Sequence, residues 1–341
     1  MSLSASSTGG KHLRGAGALP VVAAMLLYSV TLYGGSAEGT SLLVAVVAAP
    51  VIYVLAMYLI YGIARLTYQR QTLWLWGGAM GAVGLSMVLT DGTQLPVILA
   101  GWGVILSAGV VSGQLTIRGV RPRMVVTSTL IVMSVFAIAQ FYMLWQEVLG
   151  TSQETIATLV EEARRQLSVI GESPERIREG LESFELMMSI AMRLVPAEML
   201  LGTAAQFTVG YLLFLRWIEK NRLAPPQIEP FRFWKIPFLL MPAVLLFAVL
   251  RLLGGDGLSI VADNGLAVLA VLYSVAGLAL VEYYLRKMQL STFMRVLFYV
   301  MLFLLPLVSL TGSLVLGVAI ALGGFVDSFA DWRKIRLREL M

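Results

Sequence analysis

Apolar residues in this chain run in blocks broken by charges or by Gly and Pro, instead of alternating with polar ones. A bilayer core about 30 Å thick takes roughly 20 apolar residues of helix, and runs of about 17 to 25 are read as spans. On that rule ten spans are expected, at about 16–34, 41–64, 72–90, 95–114, 124–147, 187–216, 236–253, 264–285, 292–310 and 312–330. No charge interrupts the stretch between Arg295 and Asp327, which is too long for one span. A tight turn is therefore placed at Ser309-Leu310-Thr311-Gly312, beyond Pro306. The class predicted is all-α, a polytopic transmembrane helix bundle.

Between the fifth and sixth spans the pattern changes to helical amphipathicity. Thr151-Ser-Gln-Glu154 has the form of a capping box, so a helix start is expected there. Ile156, Leu159, Val160, Leu167 and Ile170 then recur opposite Glu161, Glu162, Arg164 and Arg165, with Gly171 as a stop. A second start at Ser173-Pro174 carries Ile177, Leu181, Phe184 and Met188 into the next span. The expectation is an external amphipathic helical hairpin over 149–185, between a five-span bundle at 1–148 and another at 186–341. It reads as a lid, a docking element or a connector on the membrane surface.

Composition narrows the chemistry. Of 341 residues 58% are hydrophobic and 13% charged, with mean hydropathy +0.82, which excludes disorder and ordinary soluble packing. With no Cys and one His, His12 in the polar N-terminal segment, neither thiol nucleophiles, His triads nor Cys/His metal sites can be built in the spans. No metal, cofactor or catalytic residue is expected. Nineteen of the 25 Lys and Arg fall on one side of the ten-span topology, which makes that side, with both termini, cytoplasmic. The apolar stretch after Lys11 and Arg14 is read as an uncleaved first helix. The basic face suits anionic membrane lipids, and without interleaved aromatic residues it does not suit nucleic acid.

Ionisable residues inside spans are expensive and mark candidate sites. Arg193 and Glu198 lie in the sixth span, Arg251 near the outer end of the seventh and Glu282 near the inner end of the eighth. Antiparallel packing of the sixth and seventh spans brings Arg193 and Arg251 to one depth, a basic pocket with Glu198 beneath it that suits a small anion. The competing reading has both arginines reaching the headgroups and Glu282 paired with Arg286. Small-residue pairs at i, i+4, such as Gly77/Gly81, Gly78/Ala82, Gly317/Ala321 and Ala319/Gly323, let helices approach closely. At the C-terminal end Asp327 and Asp331 share a helix face beside Arg333, a candidate surface for docking a partner.

The Gly-x3-Asp-x3-Asp spacing there resembles half of the CDP-alcohol phosphatidyltransferase motif. The other half is missing, since Ser309-Leu310 and Ser313-Leu314 stand where its Asp-Gly and Ala-Arg belong, so a metal-dependent phosphotransferase stays a remote alternative. A broader resemblance rests on Gly324-Phe-Val-Asp327-Ser-Phe-Ala-Asp331-Trp-Arg333, Phe231-Arg-Phe-Trp-Lys-Ile-Pro237, Asn264-Gly-Leu with Gly277-Leu-Ala-Leu-Val281, and Arg193-Leu-Val-Pro196. In these the chain resembles the YybS-like bacterial membrane proteins, a family of unknown function distantly similar to the substrate-binding S components of energy-coupling-factor transporters. That resemblance implies a bacterial inner-membrane location, capture of a small molecule from outside, a transmembrane coupling subunit and cytoplasmic ATPases as partners. Such S components have about six spans, so ten spans and a hairpin depart from the pattern. Small-molecule binding or transport is the leading expectation, and a non-transporting membrane scaffold the alternative.

Overall fold

A computed structural model describes residues 18–33, 42–90, 94–170, 174–223, 229–308, 310–330 and 332–333. Its helices are α1 (Leu19–Tyr33), α2 (Leu42–Tyr68), α3 (Thr72–Leu89), α4 (Leu95–Ile117), α5 (Pro122–Ile170), α6 (Pro174–Lys220), α7 (Met241–Leu253), α8 (Asp256–Lys287), α9 (Thr292–Val308) and α10 (Leu310–Ala330). Two 3-10 turns, Phe231–Phe233 and Phe238–Leu240, precede α7. One helix stands at each expected span, and no strand occurs among the described residues. Among the described residues five stretches are long and apolar enough to cross a membrane: Ala49–Tyr68, Thr72–Leu89, Leu95–Ile117, Pro122–Leu144 and Gly257–Lys287. Shorter apolar helical stretches among them are Leu19–Leu32, Met241–Leu253, Thr292–Leu302 and Val315–Ala330.

Two expected boundaries fail. No helix begins at Thr151, because Thr151–Glu154 lies inside α5, which runs unbroken from Pro122 to Ile170. Between Leu144 and Thr151 the only helix-weakening residue is Gly150, which costs about 1 kcal/mol and is outweighed by the helix on either side. The hairpin's first arm is therefore a continuation of the fifth span, projecting roughly 39 Å past Leu144 at 1.5 Å per residue. Its described charges pair along the helix, Glu161 with Arg164 at 3.9 Å and with Arg165 at 3.7 Å, all exposed. The second arm does begin at Pro174 and continues into the sixth span as α6, while Gly171 and Ser173 fall outside the described residues. At the other boundary Leu310, Thr311 and Gly312, expected in the tight turn, lie in α10, while Ser309 lies outside the described residues.

The helices group into two compact units, and α6 contributes to both: residues 1–188 with 198–227 form the first, 189–197 with 228–341 the second. In the first unit, Met25, Leu59, Ile60, Ile63, Trp102, Phe207 and Phe214 form a continuous buried core. Close approach is set by Gly109 and Gly113 of α4, where an added Cβ would run into Ile63, Ala64 and Thr67 of α2. Gly78 of α3 meets Met25 and Val22 of α1 in the same way, and beside it Ser29 Oγ donates to Ala82 O at 3.0 Å. Hydroxyls and small residues thus join helices whose apolar surfaces alone would not distinguish neighbour from lipid.

Four helices end identically. After α2, α4, α6 and α8 one residue takes a positive φ: Arg70 at 56°, Gly119 at 69°, Arg222 at 54° and Gln289 at 58°. In each the following N–H reaches back five residues, as Gln71 N to Leu66 O at 2.9 Å and Leu290 N to Leu285 O at 3.2 Å, the Schellman arrangement. Three of the four use a residue for which this conformation costs roughly 1–2 kcal/mol. These are also the ends at which the chain concentrates its arginines and lysines.

In the second unit α8 packs on α7 and α10, and the 3-10 turn at Phe231 lies against it. Gly277 of α8 and Gly324 of α10 meet backbone to backbone: a Cβ on Gly277 would overlap Ile320 O, and one on Gly324 would overlap Tyr273 O. Of the expected α10 pairs, Gly317 has nothing within 4 Å and Gly323 only Leu280 at 3.8 Å, so the true crossing lies one position away. Gly324→Ala is expected to destabilise the protein by about 1–3 kcal/mol, the range for overpacking a close contact. Gly317→Ala is expected to be neutral or stabilising. Thermal unfolding in detergent compares the two, and equal midpoints would refute the crossing.

Candidate functional site

Pro196 removes an N–H from the interior of α6 and crowds the preceding turn. The rung beside it is carried by a side chain from α8. Asn264 Oδ1 accepts from Ala197 N at 2.7 Å, and Asn264 Nδ2 donates to Arg193 O at 2.9 Å and to Ile260 O at 2.8 Å. Arg193 O and Ala197 N stand i and i+4, the two ends of one helical hydrogen bond. The carboxamide thereby spans this rung and satisfies both its ends in a setting without water.

One residue earlier, Asp263 gathers the two arginines singled out above. Arg193 Nε lies 2.7 Å from Asp263 Oδ2, and Arg251 Nε 2.7 Å from Asp263 Oδ1. Arg193 also donates to Ser259 Oγ at 2.5 Å. The side chains of Arg193, Arg251 and Asp263 are 37%, 49% and 22% exposed, so the triad is open on one side. Two guanidinium groups on one carboxylate leave a net positive charge. The expected convergence of Arg193 with Arg251 is thus present, but Glu198 does not join it: it is exposed, five residues and about 140° further round α6. Asp263 was missed because the eighth span was started at Asn264, where the apolar run begins. The helix itself begins at Asp256, two turns earlier. The signal was an Asp-Asn pair ahead of the span, opposite two unmatched arginines.

All these residues fall within 39–319, the region matched by the family model “Predicted membrane protein (DUF2232)”. The chain belongs to that family. No curated protein and no solved structure matches it. The description makes these proteins membrane proteins and assigns them no activity, so the residues themselves carry the functional reading.

Nineteen residues along α8 from Asp263, about 28 Å at 1.5 Å per residue, stands a second charged group. Glu282 is 8% exposed and accepts from Arg286 Nε at 2.6 Å, Arg295 NH1 at 2.6 Å and Tyr299 OH at 3.2 Å. The expected Glu282–Arg286 pair is present, and Arg295 of α9 joins it. The two clusters bracket an apolar length close to that of a bilayer core.

Asp327, expected to face a partner, is turned inward. It is 1% exposed and holds Arg333, itself 1% exposed, through Nε at 3.0 Å and NH2 at 2.6 Å. Arg333 in turn donates to Arg232 O at 2.7 Å and Trp234 O at 2.8 Å. The carboxylate docks the chain's own Phe231–Trp234 segment, because burying an arginine requires a counter-charge more than a helix end requires a free one. Asp331 lies outside the described residues.

Asn264→Ala is expected to lower stability by about 1–3 kcal/mol for each backbone group it orphans, read as a fall in the unfolding midpoint. An unchanged midpoint would show that the α6 rung closes without it. Arg333→Ala is expected to cost about 3–5 kcal/mol by stranding Asp327, and the double replacement Asp327→Leu, Arg333→Met to recover most of that loss. No recovery would mean that the backbone bonds to Arg232 and Trp234 carry the contact.

Proposed function

We propose that this membrane protein binds a small anionic molecule at Arg193 and Arg251, and that binding serves its transport. The observation carrying this reading is the triad itself: two partly exposed arginines from different helices held on one carboxylate beside a proline within α6. Asp263 orients both guanidinium groups before any ligand arrives and leaves them short of negative charge, and Asn264 fixes the backbone that carries Arg193. An incoming carboxylate or phosphate then gains charge-assisted hydrogen bonds from donors already in position.

The basic bias of the sequence supports a bacterial inner-membrane topology with both termini cytoplasmic and the triad at the outer end. The importer version, with a coupling subunit and cytoplasmic ATPases, rests on the sequence resemblance alone. A scaffold reading draws on α9, whose Phe293, Val296, Val300 and Met301 are 73%, 55%, 45% and 63% exposed. Mild-detergent affinity purification with mass spectrometry separates the two: an ATPase pair with a bound metabolite supports import, other membrane proteins with lipid alone support the scaffold.

Thermal unfolding in detergent against a panel of mono- and dicarboxylates and phosphate esters tests the site. At least one compound is expected to raise the midpoint of the parent. Arg193→Ala and Arg251→Ala are each expected to abolish that rise, and Glu198→Gln to keep it. A rise that survives both arginine substitutions would place the ligand elsewhere.

A further inference from the structure

The second charged group of α8 borders a cleft of about 230 Å³, lined among others by Arg232, Glu282, Arg286, Thr292, Arg295 and Tyr299. Arg286 and Arg295 hold the one carboxylate of the lining and Arg232 stands on the same lining, an excess of two positive charges. Glu282 does not satisfy all the donors. Arg295 spends NH1 on Glu282 and NH2 on Thr292 Oγ1 at 3.0 Å, while its Nε is buried without a hydrogen-bond partner. Arg232 Nε is buried without a hydrogen-bond partner as well, its guanidinium lying over the Phe233 ring at 4.8 Å. A buried unmet donor on a positive side chain is costly, and two of them bordering one cleft mark a place for an acceptor with several oxygens and negative charge.

Arg232 is held in position from behind. Its carbonyl and that of Trp234 accept from Arg333, which is clamped by Asp327, so the Phe231–Phe233 turn is fixed with Arg232 at the cleft. Arg295 is only 15% exposed and oriented by Glu282 and Thr292. The arginines are thus pre-set, which reduces the entropy lost on binding. Planar guanidinium groups match the tetrahedral oxygens of a phosphate better than a lone ammonium does. We infer that this cleft is a phosphate-binding site, occupied by the headgroup phosphate of an anionic phospholipid in the leaflet on the basic side of the membrane. Its place at the end of the apolar length of α8, with Phe231 and Val296 also on its lining, suits a ligand whose phosphate is polar and whose attached chains are not. The site is separate from the Arg193–Asp263–Arg251 triad and stands or falls independently of it.

The test titrates delipidated, detergent-solubilised full-length protein with phosphatidylglycerol and, separately, with inorganic phosphate, following the unfolding midpoint. Phosphatidylglycerol is expected to raise it saturably. R232Q, its lipid response read against its own lipid-free midpoint, is expected to weaken the apparent affinity about tenfold, the loss of one charge-assisted hydrogen bond. R295K, which keeps the charge but not the planar donors, serves as the second variant and is expected to weaken binding by a similar factor. A saturable response to inorganic phosphate that R232Q weakens keeps the phosphate site but overturns the lipid as its occupant in favour of a soluble phosphate compound. Equal responses of the parent and both variants to each probe overturn the site altogether.

Discussion

Inside a bilayer a backbone N–H, a carbonyl or a charge has no water to fall back on, so each must find its partner in the protein. The second unit is organised around that requirement. Pro196 opens a place in α6, and Asn264 spans the rung beside it. Arg193 and Arg251 enter with their charges, and Asp263 takes both. Glu282 collects Arg286, Arg295 and Tyr299, and Asp327 collects Arg333. Three of these four anchors stand on α8, which explains why that helix is the longest apolar stretch of the unit and packs on most of its neighbours. Apolar contact brings the helices into a bundle, and polar pairing chooses which faces meet.

The same logic explains what could be read from the sequence. Span positions were legible because hydrocarbon tolerates so few charges that runs of apolar residues can mean little else, and each expected span has its helix. The convergence of Arg193 and Arg251 was legible for the same reason. Asp263 was not, because span boundaries were drawn at the edge of apolarity whereas a helix continues past it until something stops it. The capping box at Thr151 failed by the same error in reverse: a cap motif is permission for a helix to start, and α5 had no reason to stop. Close crossings were the least legible. Gly277 and Gly324 look no different in sequence from Gly317, and only the pairing of two distant helices tells them apart.

The direction of Asp327 was also beyond sequence reasoning, since its partner arginine follows six residues later and the segment they hold lies about a hundred residues upstream. A carboxylate at a helix end looks exposed until the chain beyond it folds back. Here that return builds a support for Arg232, so a feature expected to recruit another protein instead stiffens one wall of a cleft in its own.

Asn264 and Glu282 are 18 residues apart, five turns of α-helix, and therefore lie on one line along α8. A rotation of α8 about its axis would withdraw both at once, breaking the α6 rung at one end and stripping Arg295 of its counter-charge at the other. The Gly277–Gly324 crossing resists such a rotation, because backbones in direct contact leave no side-chain layer to deform. The most closely packed pair of this unit is thus α8 with α10, while the Pro196 region of α6 meets α8 through the Asn264 carboxamide and the Arg193 ion pair, and α9 meets α8 through Arg295 and Tyr299 and packs on α10. An anion that competed with Asp263 for Arg193 would loosen the first, and one that bridged Arg232 and Arg295 would tighten the second. Each charged cluster therefore lies where α8 meets a neighbouring helix, and the contact there depends on the charge balance of the cluster.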